Sequence, residues 1–187
     1  MKTRRLLTGT PQLATALLLA VFAAVCISCS ASDSPSLEAK VKVACILNFI
    51  RFTEWPDTTS KEIVVGLLGD DRYEGAIDEI LSGQIVGDRK IVVRHFTSAA
   101  EVKGAQVMIV GYTDDKTSQE ALEQLKKQPT LTIGESAAFM EDGGMIRLLK
   151  EDGKVRFEIN NSPAKLSHLT ISSKLLTLAR AYHAKGE

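Results

Sequence analysis

The chain has 187 residues, of which 44% are hydrophobic and 25% are charged, a composition typical of a globular protein. Its 23 basic and 23 acidic residues balance, and no dense cluster of Lys and Arg follows the first few residues, which argues against nucleic acid as a partner. The length suits one ordinary domain rather than two.

The N-terminal segment has the pattern of an export signal. Lys2, Arg4 and Arg5 form a basic start, residues 11–28 ("PQLATALLLAVFAAVCIS") are almost entirely apolar or small, and the first acidic residue is Asp33. An uncleaved membrane anchor is the alternative, but the apolar core is shorter than the roughly 20 residues of a membrane-spanning helix. We therefore predict a signal peptide over residues 1–31 and a mature, slightly acidic domain over residues 32–187.

The cleavage region "CISCSASD" leaves two alternatives open. Cys29 to Ala31 form an imperfect small-x-small site, which favours export of a soluble protein. Cys29 could instead be a lipid-bearing first residue, although Cys26 stands where such a signal prefers Leu. After cleavage only Cys45 is certain to remain, so no internal disulfide is expected. Cys45 itself is expected to be a small buried hydrophobe, with an intermolecular bridge as the alternative.

The first predicted helix contains the stretch "VKVACILNFIRFTEWP", residues 41–56. Ser34 is its expected N-cap and Pro35 its first residue. Pro56 disfavours helical geometry at the residue before it, so we expect the helix to end at about Trp55.

This helix carries apolar residues on two sides. A surface helix usually has one apolar stripe, so two stripes predict two buried faces, one on the sheet and one needing cover from another helix or another molecule. The first side holds Leu37, Val41, Ala44, Cys45, Asn48, Phe52 and Trp55, and the second holds Val43, Ile46, Leu47 and Ile50.

Strands and helices then alternate at the spacing of a parallel sheet with helices on its faces. The predicted strands cover residues 62–68, 89–96, 105–111 and 129–136. The predicted helices between them cover residues 72–83 and 115–128, with a short helical turn at 98–102.

The pattern changes near the C-terminus. Two alternating segments, 145–149 and 154–159, flank an Asp-Gly pair at residues 152–153, which is a strong hairpin signal. A short helix within residues 160–170 and a last helix over residues 172–184, capped near Ser172, are expected to follow. The predicted fold class is α/β: a single three-layer domain with a mostly parallel sheet, flanking helices and a C-terminal antiparallel β-hairpin at the edge.

No catalytic or metal-binding pattern emerges. Asp70 and Asp71 follow a buried strand as in receiver domains, but Gly111 stands where the phosphoacceptor Asp should be, so one of the two is expected to cap the next helix. The three histidines lack a second ligand at metal-binding spacing, and no phosphate-binding glycine loop occurs. We therefore predict a binding protein with no cofactor rather than an enzyme.

A polar cluster lies near the predicted sheet edge in "RFEINN". Arg156, Glu158 and Asn160 alternate along the last strand and just beyond it. A solvated strand face is the favoured interpretation, and contact with a ligand or partner is the alternative.

Two stretches resemble the signatures of the YfiR-like family of exported proteins. The first has the form K-x-A-x-x-x-N-F-x-x-x-x-E-W-P, and "GGMIRLLKEDGKVRFEINNSPAKLSHLTISSKLLTLAR" resembles the closing signature. The residues that match the opening signature are Lys42, Ala44, Asn48, Phe49, Glu54, Trp55 and Pro56.

The resemblance implies a periplasmic regulator without enzyme activity. Such a protein binds the periplasmic sensor region of an inner-membrane diguanylate cyclase, or a related membrane sensor, and represses cyclic-di-GMP synthesis and biofilm formation. The chain departs from the family in its cysteines, which puts regulation by internal disulfides in doubt. A small-molecule sensing module that signals to a transporter or sensor kinase is the alternative function.

The predicted contact residues fall into two sets. Asn48, Phe52 and Trp55 would meet the sensor or a second copy of the chain in a homodimer, and Asn48 would need a partner because an unpaired buried amide costs about 1–3 kcal/mol. The second set is Arg156, Glu158 and Asn160.

Overall fold

Helices and strands alternate through the residues that the computed structural model describes, which are 34–56, 59–111 and 113–181. The helices are α1 (Leu37–Arg51), α2 (Ala76–Leu81), α3 (Asp115–Leu125), α4 (Ala137–Glu141), α5 (Asn161–Leu166) and α6 (Ser173–Leu178), with a 3-10 turn at Ala99–Glu101. The strands are β1 (Thr53–Glu54), β2 (Glu62–Leu68), β3 (Ile85–Val86), β4 (Arg89–Phe96), β5 (Val107–Val110), β6 (Leu131–Gly134), β7 (Ile146–Glu151), β8 (Lys154–Ile159), β9 (Thr170–Ile171) and β10 (Arg180–Ala181). The predicted export signal and Cys29 lie outside the described residues.

The main sheet has the order β10-β8-β7-β6-β5-β2-β4-β3. Strands β7, β6, β5, β2 and β4 are parallel to their neighbours in that run, whereas β7 with β8 and β3 with β4 form antiparallel pairs. This confirms a mostly parallel sheet with a C-terminal hairpin towards one edge. The outermost position is taken by β10, which pairs with β8 in parallel.

Both faces of the sheet are covered, as the continuous apolar run of β2 predicts. Val65 and Leu67 of β2 belong to the core beneath α1 and α2, whereas Val64 and Leu68 belong to the core beneath the 3-10 turn, α3 and α4. Successive residues of a strand point to opposite faces, so one apolar strand supplies both cores. The predicted three layers are confirmed.

The hairpin turn has the geometry that Asp-Gly favours. Asp152 and Gly153 have φ of 50° and 72°, and two consecutive positive values are the mark of a type I′ turn. The register places Glu151 opposite Lys154, so the loop has two residues. The turn sequence therefore fixes the pairing of β7 with β8.

Helix α1 differs from its prediction at both ends. It is capped by Ser36, whose Oγ accepts a hydrogen bond from the Ala39 N–H at 3.2 Å, and not by Ser34. It ends at Arg51 rather than Trp55, because the next residues form β1 and pair with β9 in the C-terminal segment. The Ser172 N–H also donates to the Phe52 carbonyl at 2.9 Å. Tertiary pairing thus overrides the helical pattern.

Two other predicted helices are too long. Asp71 accepts hydrogen bonds from the N–H groups of Tyr73 and Gly75 at 2.7 and 2.6 Å, which holds a turn before α2 instead of capping a helix from residue 72. Helix α6 ends at Leu178 because the next residues join β8 as a strand. In this short helix Leu175 is buried, whereas Leu178 is 74% exposed.

Candidate functional site

Helix α1 presents an apolar face that no other described part of the chain covers. Leu37, Val41 and Phe52 are 79%, 41% and 40% exposed, and Ala44 and Asn48 between them are exposed as well. We call these five residues the α1 outer face. Their spacing along the helix places them on one side.

The other side of α1 is buried in the core. The buried residues of the helix are Ala39, Lys42, Val43, Ile46, Leu47, Phe49 and Ile50. The second predicted stripe therefore faces the sheet as expected, and the first, apart from Cys45 and Trp55, is left to solvent. Cys45 lies between the two sides, half-buried, and burial raises the pKa of its thiol.

Asn48 and Trp55 lie in environments that differ from their predictions. Asn48 is exposed, so its amide is open to solvent and the expected need for a buried partner is wrong. Trp55 is only 9% exposed, belongs to the core cluster and donates its indole N–H to the Gln106 carbonyl at 3.2 Å. Of the first predicted set, Asn48 and Phe52 are accessible to a partner, whereas Trp55 anchors the chain after α1.

The second predicted set lies on the opposite face of the sheet. Phe157 of β8 packs edge-to-face on Phe49 of α1, with ring centroids 4.9 Å apart. Its neighbours Arg156 and Glu158 must then point away from α1. The structure does not bring the two predicted sets together.

The prediction that Glu158 lies on a solvated strand face is wrong. It is 9% exposed, and its carboxylate lies 3.2 Å from Arg147 Nη1 and 3.7 Å from Arg180 Nε. Arg156 is exposed, and the backbone N–H of Asn160 donates to the Met145 carbonyl at 2.8 Å. Glu158 therefore ties β10 and β7 to β8 and has no free charge to offer a ligand.

The sequence analysis missed an ion-pair network at the N-terminal half of α1, in which Lys42 and Glu135 are largely buried and Glu38 and Lys150 reach the surface. Lys42 Nζ lies 3.0 Å from Glu135 and 3.1 Å from Glu38, and Glu38 also pairs with Lys150 at 2.5 Å. Burial alone would lower the pKa of Lys42, but the two carboxylates outweigh burial and raise it. The sequence feature that could have revealed the network is Lys42 on the buried side of α1, with Glu38 one turn before it.

Tyr73 lies next to this network. Burial, followed by the nearby charge of Glu135, raises the pKa of Tyr73 well above its usual value. Within the described residues the Tyr73 hydroxyl and Glu135 Oε1 are buried without a well-formed hydrogen bond. The network is a structural feature of the core rather than an open site.

The crevice where α/β proteins usually bind ligands is narrow here, with a cavity of about 60 Å³ beside Gly111 and Gly134. The strand order reverses between β2 and β5, and the carboxyl ends of these two strands would be the usual binding point. A Cβ on Gly111 would lie 2.3 Å from the Asp70 carbonyl oxygen, so the two backbones are already in close contact. In the described part of the chain there is also no group of His, Cys, Asp or Glu that could hold a metal ion.

A family model described as YfiR/HmsC-like matches residues 39–180. The chain belongs to the YfiR/HmsC-like family. The match spans α1 and the C-terminal hairpin, the two regions that carried the resemblance in the sequence. No curated protein matches the chain.

Two solved structures are similar to this YfiR/HmsC-like chain. One is an ABC domain from Streptococcus pneumonia, solved in complex with L-Trp, at 12% identity and a TM-score of 0.51 over 77% of this chain and 60% of that one. The other is a conserved domain protein from Vibrio cholerae O1 biovar El Tor, at 15% identity and a TM-score of 0.48 over 76% and 59% of the two chains. The chain spans only about three fifths of each, and the similarity to the first shows the fold alone.

The YfiR/HmsC-like family is known for periplasmic regulators in cyclic-di-GMP signalling, and membership suggests such a regulatory role. Among the described residues, no helix has the length and apolar character needed to cross a membrane.

Proposed function

We propose that the chain is a non-enzymatic periplasmic regulator that binds the periplasmic sensor region of an inner-membrane diguanylate cyclase and represses cyclic-di-GMP synthesis. The proposal includes export by residues 1–31, a mature domain over residues 32–187 and, as an open alternative to a soluble form, a lipid on Cys29. The observation that carries the proposal is the α1 outer face, combined with the family assignment.

The α1 outer face suits another helix. Leu37, Val41, Ala44 and Asn48 follow one another at spacings of four, three and four residues, which is the spacing of a helix-pairing seam. Ala44 is small and would let a partner helix approach closely, and Asn48 would favour one register. Large exposed apolar side chains grouped on one surface are typical of interaction sites.

The α1 outer face would bind the sensor region or a second copy of the chain in a homodimer. It could also bind the two in turn. The C-terminal polar cluster supports the alternative function less well. A ligand cleft formed by Arg156, Glu158 and Asn160 would need the charge of Glu158, which two arginines already neutralise.

The proposal is tested by deleting the gene in its own bacterium and measuring cyclic-di-GMP. We expect the level to rise on deletion and to return to normal with the wild-type gene. A double variant, Val41→Gln with Phe52→Gln, should fold with an unchanged thermal midpoint and fail to restore the low level. Leu166→Gln is the matched control, because it also removes an exposed apolar side chain from a helix, at 65% exposure.

Either of two results would contradict the proposal. An unchanged cyclic-di-GMP level on deletion would remove the link to cyclase control. Full restoration by the double variant would instead remove the α1 outer face from the interaction.

A further inference from the structure

A cavity of about 480 Å³ opens between the C-terminal ends of α3, α4 and α5. Thr132 of β6 and Met145, the residue before β7, both line it, and the Thr132 hydroxyl accepts a hydrogen bond from the Met145 N–H at 3.1 Å. Leu131 and Ile133, on either side of Thr132, belong to the core beneath α1. Successive residues of a strand point to opposite faces, so the Thr132 side chain enters the cavity from the face of the sheet opposite α1.

The gap between these helices follows from how α4 ends. This helix has five residues and stops at Glu141, and the N–H groups of Gly143 and Gly144 donate to the carbonyls of Met140 and Phe139 at 3.2 and 2.8 Å. A Cβ on Gly144 would lie 2.2 Å from the Phe139 ring, so the chain turns here in close contact with its own helix. The short helix and the tight turn leave the space between α3 and α5 unfilled.

The inner wall of the cavity is uncharged and its apolar part is aliphatic. The buried lining residues are Leu122, Leu125, Thr132, Met145 and Ser167. A charge that is buried without a partner costs several kcal/mol, so the part of a ligand that enters this wall must be neutral.

The charged lining residues lie at the rim. Glu123, Lys126, Lys127 and Glu141 are exposed, and Asp142 is half-buried. Lys126 pairs with Glu123 at 3.0 Å, and the Asp142 carboxylate accepts a hydrogen bond from the Gln119 side chain at 3.2 Å. The rim therefore carries both signs of charge and favours neither an anion nor a cation.

Ser167 is the buried polar group that remains available inside the cavity. It is 2% exposed, and its backbone N–H is already bonded to the carbonyls of Pro163 and Ala164 at the end of α5. No described residue forms a hydrogen bond with its hydroxyl. That hydroxyl is also absent from the fully enclosed polar atoms of the described residues, so it keeps contact with open space, and the space that Ser167 lines is this cavity. A ligand atom bonded there would satisfy a buried hydroxyl that the fold leaves unpaired.

We propose that this cavity, which we call the Ser167 pocket, binds a small aliphatic molecule through an uncharged hydrogen-bonding group such as a hydroxyl or an amide. The volume lies within the roughly 300–1,000 Å³ of small-molecule sites. The aliphatic body of the ligand lies on Leu122, Leu125 and Met145, and its polar group meets the Ser167 hydroxyl. The proposal does not depend on the partner of the α1 outer face, because the residues that line the pocket come from other elements.

Met145 provides a reporter inside the pocket. The mature protein is labelled with carbon-13 on its methionine methyl groups and titrated with 1-hexanol, and the Met145 signal is assigned by its loss in Met145→Leu. We expect this signal to shift in a saturable manner. Met108 is the internal control, because it is fully buried in the core and does not line the pocket. Absence of a saturable Met145 shift, or an equal shift of Met108, would overturn the proposal.

The uncharged ligand class is tested with hexanoate and hexylammonium, which share the six-carbon chain and end in a negative or a positive group. Both ions should bind at least about threefold more weakly than 1-hexanol, because their charge must stay at the rim and leaves the Ser167 hydroxyl unpaired. Tighter binding of either ion would show that the pocket selects a charge.

Ser167→Ala should raise the dissociation constant of 1-hexanol about threefold to tenfold, as expected for loss of one neutral hydrogen bond, and should leave the two ions unaffected. Ser118→Ala is the matched control, since Ser118 is also a buried serine but lies on α3 outside the pocket. Unchanged 1-hexanol binding in Ser167→Ala would overturn the role of Ser167. If that variant does not fold, the order of the three ligands on the wild-type protein decides.

Discussion

Two buried cations lie at opposite ends of the sheet and differ in how their charge is balanced. Lys42, at the carboxyl end of β6, contacts two carboxylates within 3.1 Å. Arg89, at the amino end of β4, contacts a backbone carbonyl and leaves its Nε–H unpartnered. Their exposures are similar, at 9% and 6%, so burial does not explain the difference.

The difference separates two ways of holding a buried charge. Lys42 is paired with carboxylates inside the chain, beside a crevice that narrows where the backbones of Gly111 and Asp70 meet. Arg89 is held by a hydrogen bond to the Glu62 carbonyl, and it interacts electrostatically with Asp88, its neighbour in the chain.

The largest effect is expected for Lys42→Met. This change leaves Glu135, whose side chain is 15% exposed, without its counter-charge, and removal of one partner of a buried pair costs about 3 kcal/mol. Urea unfolding followed by circular dichroism measures the loss.

Lys40→Met is the control for this measurement. Lys40 is on the same helix and pairs with Glu79 at 3.7 Å, but both side chains are well exposed, so its loss should be below about 1 kcal/mol. Equal losses in the two variants would show that the Lys42 network is not a buried structural pair.

A smaller effect is expected for Arg89→Met. The variant removes a charge that forms no ion pair with the described residues, and the Glu62 carbonyl keeps its hydrogen bond from the Ser60 hydroxyl. The free energy of unfolding should therefore change by less than about 1 kcal/mol. A loss as large as that of Lys42→Met would mean that Arg89 is a structural charge too, and would erase the contrast between the two ends of the sheet.

The smallest effect at neutral pH is expected for Tyr73→Phe, which removes a buried hydroxyl without a well-formed hydrogen bond and should alter stability by about 1 kcal/mol or less.

The variant should differ from the wild-type protein mainly in its stability at alkaline pH. The pKa of Tyr73 is raised above its usual 10.0, so above that pH the unfolded chain releases a proton that the folded protein retains, and stability falls as the pH rises. The variant should lose part of this fall in urea unfolding from pH 9 upward. An identical decline in both proteins would exclude Tyr73 as its source.

Much of the fold could be predicted from the sequence because the apolar patterns that mark buried strands are local in the chain. The apolar runs at β2 and β5 and the Asp-Gly turn at residues 152–153 each indicate their structure without help from distant residues. The errors lie where two-residue strands pair over long distances. Thr53–Glu54 and Arg180–Ala181 continue helical patterns in the sequence, and only their partners β9 and β8 make them strands.

The candidate sites were predictable in part for the same reason. The two stripes of α1 follow from helical periodicity, so the exposed position of Phe52 could be expected. Arg89 gave no signal, because an arginine at the start of a strand usually reaches solvent. Trp55 and residues 104–106 line the same cavity as Arg89, and these distant segments come together only in the folded chain.

The pairing of β1 with β9 has a consequence for how the molecule is completed. It joins the end of the first helix to residues 170–171, so this closure spans most of the main sheet. Contacts of such long sequence separation are slow to form, because the loop entropy is lost before the contact returns any stability. The end of α1 is therefore held in place only after the C-terminal segment has folded against it. A partner that binds this helix meets its final conformation only once the domain has folded.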